Sequence, residues 1–310
     1  MHTYLFNLEK GGLHEVLDPR ELDNTDENTQ AITLMCFEEF KADKTIPYKS
    51  GLLRNWDRRT ISKVERYNTY VQGILHIPAK DSGRFPAVKL AFHLDGTGLS
   101  MVEDGKMLEK FFHQMEKTPV GACSLTGFLL TVFNMLVEDD EVDLEKLEDK
   151  LARIEENLLH KLPDNFYPSV IQYRKELAAL RSFYEQLINI GEQMQAGLDQ
   201  QDDEREYNGW GVFIARCDRL HDHVEMLKEY LLQIRELYQS QIDVQQNRVM
   251  TFLTVVTTIF MPLTLITGWF GMNFPNMFLM QKPYGYLIVI GVSIALVAAE
   301  FYYFRKKKML

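Results

Sequence analysis

Asn247, Met250, Thr254, Thr257, Met261, Thr264 and Gly268 succeed one another at alternating steps of three and four, in a stretch otherwise dominated by Leu, Val, Ile and Phe. On a helix that spacing gathers them on one face. The face collects three hydroxyls, an amide, two thioethers and a glycine, and just beyond it stands the tripeptide Gly271-Met272-Asn273. Such a face offers oxygen atoms without fixed charge. A threonine in an apolar helix can also satisfy its hydroxyl on its own backbone four residues back, which says nothing about function. The shared face, with Asn247 at one end and Gly268 at the other, favours an interior lined by neighbouring copies of the helix.

The elements that must hold this face are apolar and long. No charged residue occurs from Val249 to Gln281, and the 22 residues Val249 to Phe270 make about 33 Å of helix, enough for a hydrocarbon core of about 30 Å. A second run, Tyr284 to Phe304, is interrupted only by Glu300 and carries tyrosines near both ends, as interfacial belts do. Two spans follow, and a pair of buried core helices is the less economical reading. The basic cluster Arg305 to Lys308 directly after the second span puts the C-terminus in the cytoplasm, and two spans return the N-terminal part to the same side. The chain is thus expected in the cell membrane with both termini cytoplasmic and a short outer loop.

The rest of the chain is a folded, acidic, water-soluble part. Of 310 residues 46% are hydrophobic and 25% charged, which excludes disorder, and the net charge is −10. Beyond Met250 there are five basic residues and one acidic, leaving 29 basic and 43 acidic residues before it, a net −14. Phosphate binding rests on Lys and Arg, so nucleic acid is excluded as a partner. Cys36, Cys123 and Cys217 match no metal-ligand or disulfide spacing, and the N-terminus lacks the apolar run of a signal peptide.

Alternating segments at Tyr70 to Ile77, Ala87 to Leu94 and Leu99 to Glu103, with turns at Asp95-Gly96 and Asp104-Gly105, predict an antiparallel sheet. Gly96-Thr97-Gly98 is a hairpin turn here, not a phosphate loop. Helices are expected over Met107 to Lys117, Leu125 to Val137, Leu144 to Lys161 and Val170 to Leu198, with a break at Pro163 and Pro168. The acidic run Glu138 to Asp143 has Leu144 where a calcium loop needs glycine, so it is a solvated helix junction. Phe213, Cys217, Leu220, Val224, Leu227, Leu231, Ile234 and Tyr238 form a heptad seam. With no Pro or Gly between Val212 and Met261, one helix of about 60 residues, roughly 90 Å, should run into the first span. A helix that long needs neighbours, which self-assembly supplies. The fold class is an α+β cytoplasmic domain, an antiparallel sheet with helices, followed by a very long stalk helix and two C-terminal transmembrane helices. The expected division is 1–204 cytoplasmic domain, 205–248 stalk, 249–270 first span, 271–283 outer loop, 284–304 second span and 305–310 basic tail.

Met261-Pro262-Leu263-Thr264, then Gly271-Met272-Asn273 at the outer end of the first of two C-terminal spans, then a basic tail, together resemble the CorA family of divalent-cation channels. The likeness is close from Asn247 onward and one of organisation over 1–246. It implies a funnel-shaped homopentamer, with the first spans around the pore and the second spans outside them. Carried over by position, the pore liners are Asn247, Met250, Leu253, Met261, Thr264, Gly268 and Asn273, with Met250 and Leu253 as a narrow apolar gate and Gly271, Met272 and Asn273 as the selectivity filter. Strict periodicity selects Thr254 where the family has Leu253, and it adds Thr257.

The resemblance implies transport of magnesium, with cobalt or nickel as further cargo. Magnesium holds its waters tightly, and a collar of Asn273 amide oxygens can hold the hydrated ion through outer-sphere contacts weak enough to release it. Cytosolic magnesium, bound between subunits, would close the pore; Asp218 and Asp222, one helical turn apart, are the candidate regulatory ligands, while His221 and His223 point to different faces. No organic cofactor and no ATP are implied, no Walker sequence is present, and no nucleophile and base stand together as in an enzyme. Phe270 replaces the family's usual tyrosine, and the loop Phe274 to Pro283 has Lys282 and no acid. A zinc or other transition-metal transporter of the same superfamily and a non-conducting membrane-anchored sensor or scaffold remain as alternatives.

Overall fold

The computed structural model describes residues 1–16, 28–44, 46–47, 49–56, 62–79, 87–118, 120–160, 162–163, 165–199, 204–272 and 284–307. The chain divides into two compact units, one of Met1–Asn157 with Pro163–Ile234, the other of Leu158–Leu162 with Arg235–Leu310.

The first unit is built on a seven-stranded sheet of β1 (His2–Asn7), β2 (Leu13–Glu15), β3 (Thr29–Cys36), β4 (Lys63–Arg66), β5 (Tyr70–Ile77), β6 (Val88–Asp95) and β7 (Gly98–Glu103), in the order β2-β1-β3-β7-β6-β5-β4. The three strands expected from alternation are present and antiparallel to one another, but the sheet as a whole is mixed. β3 and β7 run parallel, from Ala31 opposite Gly98 to Cys36 opposite Glu103. The reason is the crossover: between β3 and β7 the chain passes through α1 (Phe37–Ala42), α2 (Ser50–Trp56) and the β4–β6 meander, and a parallel pair needs such a long connection. The Asp95 carboxylate closes the β6–β7 hairpin, accepting from the Thr97 N–H at 2.8 Å, the Thr97 hydroxyl at 2.6 Å and the Gly98 N–H at 3.1 Å.

Side chains alternate between the two faces of the sheet. Met35, Ile74, Ala91 and Val102 pack with Phe40, Leu52 and Trp56 from α1 and α2. The opposite face meets α3 (Met107–Lys117) and α4 (Leu125–Leu136) through an aromatic chain in which Tyr4 and Phe6 contact Phe112 and Phe128, and Phe92 contacts Phe133. Ring centroids 5.8 Å apart link Phe133 to Trp210, further along the chain. The Glu103 carboxylate anchors α3 by accepting from the Met107 and Leu108 N–H groups at 3.0 Å each. Burial pushes the pKa of this carboxyl up from its ordinary value.

Among the described residues three long helices follow: α5 (Asp140–His160), α6 (Phe166–Gln195) and α7 (Glu204–Phe270), the last of 67 residues. Pro168 falls in the first turn of α6, where a missing N–H costs nothing. The heptad seam of α7 is real but its partner differs from expectation. Phe213, Cys217, Val224 and Leu227 are fully sealed, and Leu220, Leu231 and Ile234 nearly so, within the single chain. Helix α6 approaches so closely that a Cβ on Gly191 would lie 2.7 Å from the Ile214 side chain. Tyr184 of α6 donates to Asp140 of α5 at 2.8 Å, and Arg181 pairs with Glu225 at 2.5 Å. A three-four repeat marks a buried stripe and does not say whose surface covers it; here this chain's own helices do, and self-assembly is not what the seam reports.

Candidate functional site

Helix α8 (Gly285–Lys306) and the C-terminal part of α7 are the two helices long and apolar enough to cross a membrane, and only 6% of the most apolar stretch of each is buried. The core-helix alternative fails on that exposure, because a soluble protein's core helix would be covered.

The stripe lies on a definite side of α7. Val255 is 4% exposed, and Ile259, Pro262, Leu263 and Ile266 are part-covered; the matching side of α8 carries Val289, Ser293, Val297, Glu300 and Phe304. Leu263 borders the same groove as Ser293, Ile294 and Val297, which puts α8 along that side of α7. At 100° per residue, the centre of the covered side stands about 165° around the helix from the line of Met250, Thr254, Thr257, Met261, Thr264 and Gly268. All of those residues, with Asn247 and Leu253, are exposed; Met250 is 65% and Met261 69% open. A Cβ on Gly268 would meet nothing within 4 Å. A shallow groove runs along this open side from Thr257 through Met261, Thr264 and Gly268 to Met272.

The hydroxyls behave as the backbone alternative requires. Thr254 donates to the Met250 carbonyl at 2.8 Å, Thr257 to Leu253 at 2.7 Å and Thr264 to Phe260 at 2.7 Å. Off the stripe, Thr258 and Thr267 do the same to Thr254 and Leu263. These hydroxyls keep their oxygen lone pairs directed outward while their protons are committed. At the end of α7 the Gly271 N–H donates to the Thr267 carbonyl at 2.9 Å and the Met272 N–H to Trp269 at 3.4 Å, so the first two residues of the tripeptide close the helix. Asn273 lies outside the described residues, as does Lys282.

Asp218 and Asp222 are both exposed on α7. Asp222 has the His221 ring nitrogen 3.6 Å away, and His223 stands 3.5 Å from Glu148, so the two histidines do point apart. Among the described residues no group of three or more His, Cys, Asp or Glu side chains could hold a metal ion. Any ion at Asp218 and Asp222 needs ligands from elsewhere. One residue the sequence reading passed over as an interruption is Glu300. It sits on the covered side of α8 with Oε2 shielded and without a hydrogen-bond partner among the described residues. Its signal was already visible as the one acid in an otherwise uncharged span.

A family model described as CorA-like Mg2+ transporter protein matches residues 49–306, most of the chain. The chain belongs to the CorA family. The cobalt/magnesium transport protein CorA of Thermotoga maritima is 28% identical over 182 residues, covering 59% of this chain and 52% of that protein. The Bacillus subtilis protein YfjQ is 30% identical over 255 residues, 79% of this chain and 77% of its own length. The chain therefore matches about half the length of the first relative and three quarters of the second. In fold, the CorA magnesium transporter of Methanocaldococcus jannaschii superposes with a TM-score of 0.79 over 98% of both chains at 19% identity. The CorA fold accounts for the soluble sheet-and-helix unit, the 67-residue helix and the two apolar helices in one chain.

Proposed function

We propose that this chain is a magnesium channel in which several copies, five by family resemblance, arrange their first spans around a water-filled passage. The observation that carries the reading is the open side of α7. Its polar and small residues face away from α8 and are covered by nothing among the described residues, and that is the surface a second copy must meet for the hydroxyls and Gly268 to line an interior.

In this reading the gate is the apolar pair Met250 and Leu253 at the cytoplasmic end. The Gly271-Met272-Asn273 tripeptide forms the outer collar, where amide oxygens accept hydrogen bonds from the ion's water shell. A hydrated ion suits this lining because no carboxylate occurs in the spanning part of α7, Val249 to Phe270, to replace its waters. A divalent ion moving inward across about 100 mV gains about 4.6 kcal/mol, so the membrane potential drives entry. Lys306 and its basic neighbours at the end of α8 support a cytoplasmic position for that end. Asp218 and Asp222, exposed on the stalk, are the groups we assign to cytosolic magnesium, each site completed by an adjacent subunit.

The test is ion-resolved uptake by the purified full chain in vesicles with a negative interior. Magnesium uptake that is abolished by Asn273→Ala supports the channel. A protein with no uptake at all is a scaffold, and a preference for zinc over magnesium assigns the transition-metal branch of the superfamily.

A further inference from the structure

We infer that Thr257 forms a cation-specific acceptor collar immediately above the gate, a role distinct from merely lining the passage; this rests on the channel reading above. The argument begins with the direction of one hydrogen bond. The Thr257 hydroxyl proton is committed to the Leu253 carbonyl at 2.7 Å, so its oxygen presents lone pairs and no donor to the open side of α7. Water around a cation turns its hydrogens outward, whereas water around an anion turns its oxygens outward. A ring of locked hydroxyls therefore accepts hydrogen bonds from a hydrated cation and offers nothing to a hydrated anion, achieving selection by charge sign without a charged residue.

Position sets Thr257 apart from the hydroxyls of Thr264 and Thr267. It stands on the stripe below the thioether of Met261 and one helical turn above Leu253, with Thr254, bonded in the same way to the Met250 carbonyl at 2.8 Å, as the remaining hydroxyl before Met250. Its proton goes to the backbone of Leu253 itself, so the collar and the gate residue share one helical turn. An ion whose shell is held by Thr257 waits one turn above the constriction with its waters intact. Thr267 carries the same hydroxyl bonded to the Leu263 carbonyl at 2.9 Å but stands about 100° around the helix from the stripe's centre, and so serves as the internal control.

The experiment uses the full chain in vesicles and measures magnesium uptake and chloride leak for the wild type, Thr257→Val, Thr257→Ser and Thr267→Val, each checked for the same size-exclusion profile. Valine keeps the shape and removes the acceptor; serine keeps the acceptor. The expected result is at least a roughly tenfold loss of uptake in Thr257→Val, since every copy loses an acceptor and one net hydrogen bond alone is worth about that factor, with Thr257→Ser near wild type and Thr267→Val unchanged. Uptake by Thr257→Val equal to wild type overturns the inference and leaves the channel reading intact. Equal losses in Thr257→Val and Thr267→Val also overturn it, since they report packing, and so does a Thr257→Ser protein as impaired as the valine variant. A wild type that conducts nothing fails the channel reading instead, and this one with it.

Discussion

Replacing Leu227 with alanine tests whether the α7 seam is a core of one chain or a contact between copies. Leu227 is fully sealed, in line with Val224 and Leu231. The substitution removes three carbons, worth about 2.4 kcal/mol of transfer free energy at about 0.8 kcal/mol each. Surroundings that relax only partly add a cavity term, bringing the cost to about 3–4 kcal/mol. That lowers the folded-to-unfolded ratio by more than about a hundredfold. Guanidinium unfolding of the full chain in detergent, followed by tryptophan fluorescence, reads it well because Trp210 is sealed two turns into the same helix. Leu232, one residue past Leu231 and 49% exposed, is the control, and Leu232→Ala should fall within about 0.5 kcal/mol of wild type. The Leu227→Ala cost should not change when protein concentration is varied a hundredfold. A cost below about 1 kcal/mol, or one that grows on dilution, would refute the intrachain seam and restore the contact between copies.

Gly73→Ala on β5 should destabilise the sheet by about 1–3 kcal/mol, because a Cβ there would overlap Phe92 Cε1 and sit 2.7 Å from Val64 Cγ2; a thermal midpoint unchanged from wild type refutes this. Burial pushes the imidazoles of His93 and His76 below their ordinary 6.5. The unfolded chain then binds protons near pH 6.5 that the folded chain refuses, so this contribution is present above pH 6.5 and lost as pH falls through the lower folded values. Unfolding curves at several pH values between 5 and 7 should slope less in a His76→Gln, His93→Gln double variant, and an identical slope contradicts the assignment. Replacing both Asp218 and Asp222 with asparagine should raise the internal magnesium needed to stop uptake, while the initial uptake rate at low internal magnesium stays as in wild type. An unaltered inhibition curve removes both aspartates from the regulatory site.

Legibility from sequence followed the range over which each signal acts. The last apolar helix, the long helix and Met107–Lys117 are written in local periodicity and in the absence of charge, and α8, the end of α7 and α3 fall within a few residues of those expectations. Strands β1 to β4 carry no such mark. β1 pairs with β3 across more than twenty residues and β3 with β7 across more than sixty, and the value of β1 and β3 comes from partners that a local pattern cannot name. The seam on α7 shows the same limit, since periodicity gives the stripe but not the surface that covers it. The open side of the first span is the converse case. Its residue types already conflicted with a lipid-facing helix, and placing α8 on the far side leaves that conflict in place. A single chain cannot relieve it: Gly268 and three bonded hydroxyls facing outward gain nothing from acyl chains that Leu or Val would not supply better. What distinguishes the two stripes is therefore coverage. The apolar seam of α7 is satisfied within the chain and asks for no partner, whereas the polar stripe is satisfied only at its protons, and the proposed assembly is what would give its oxygens water to meet.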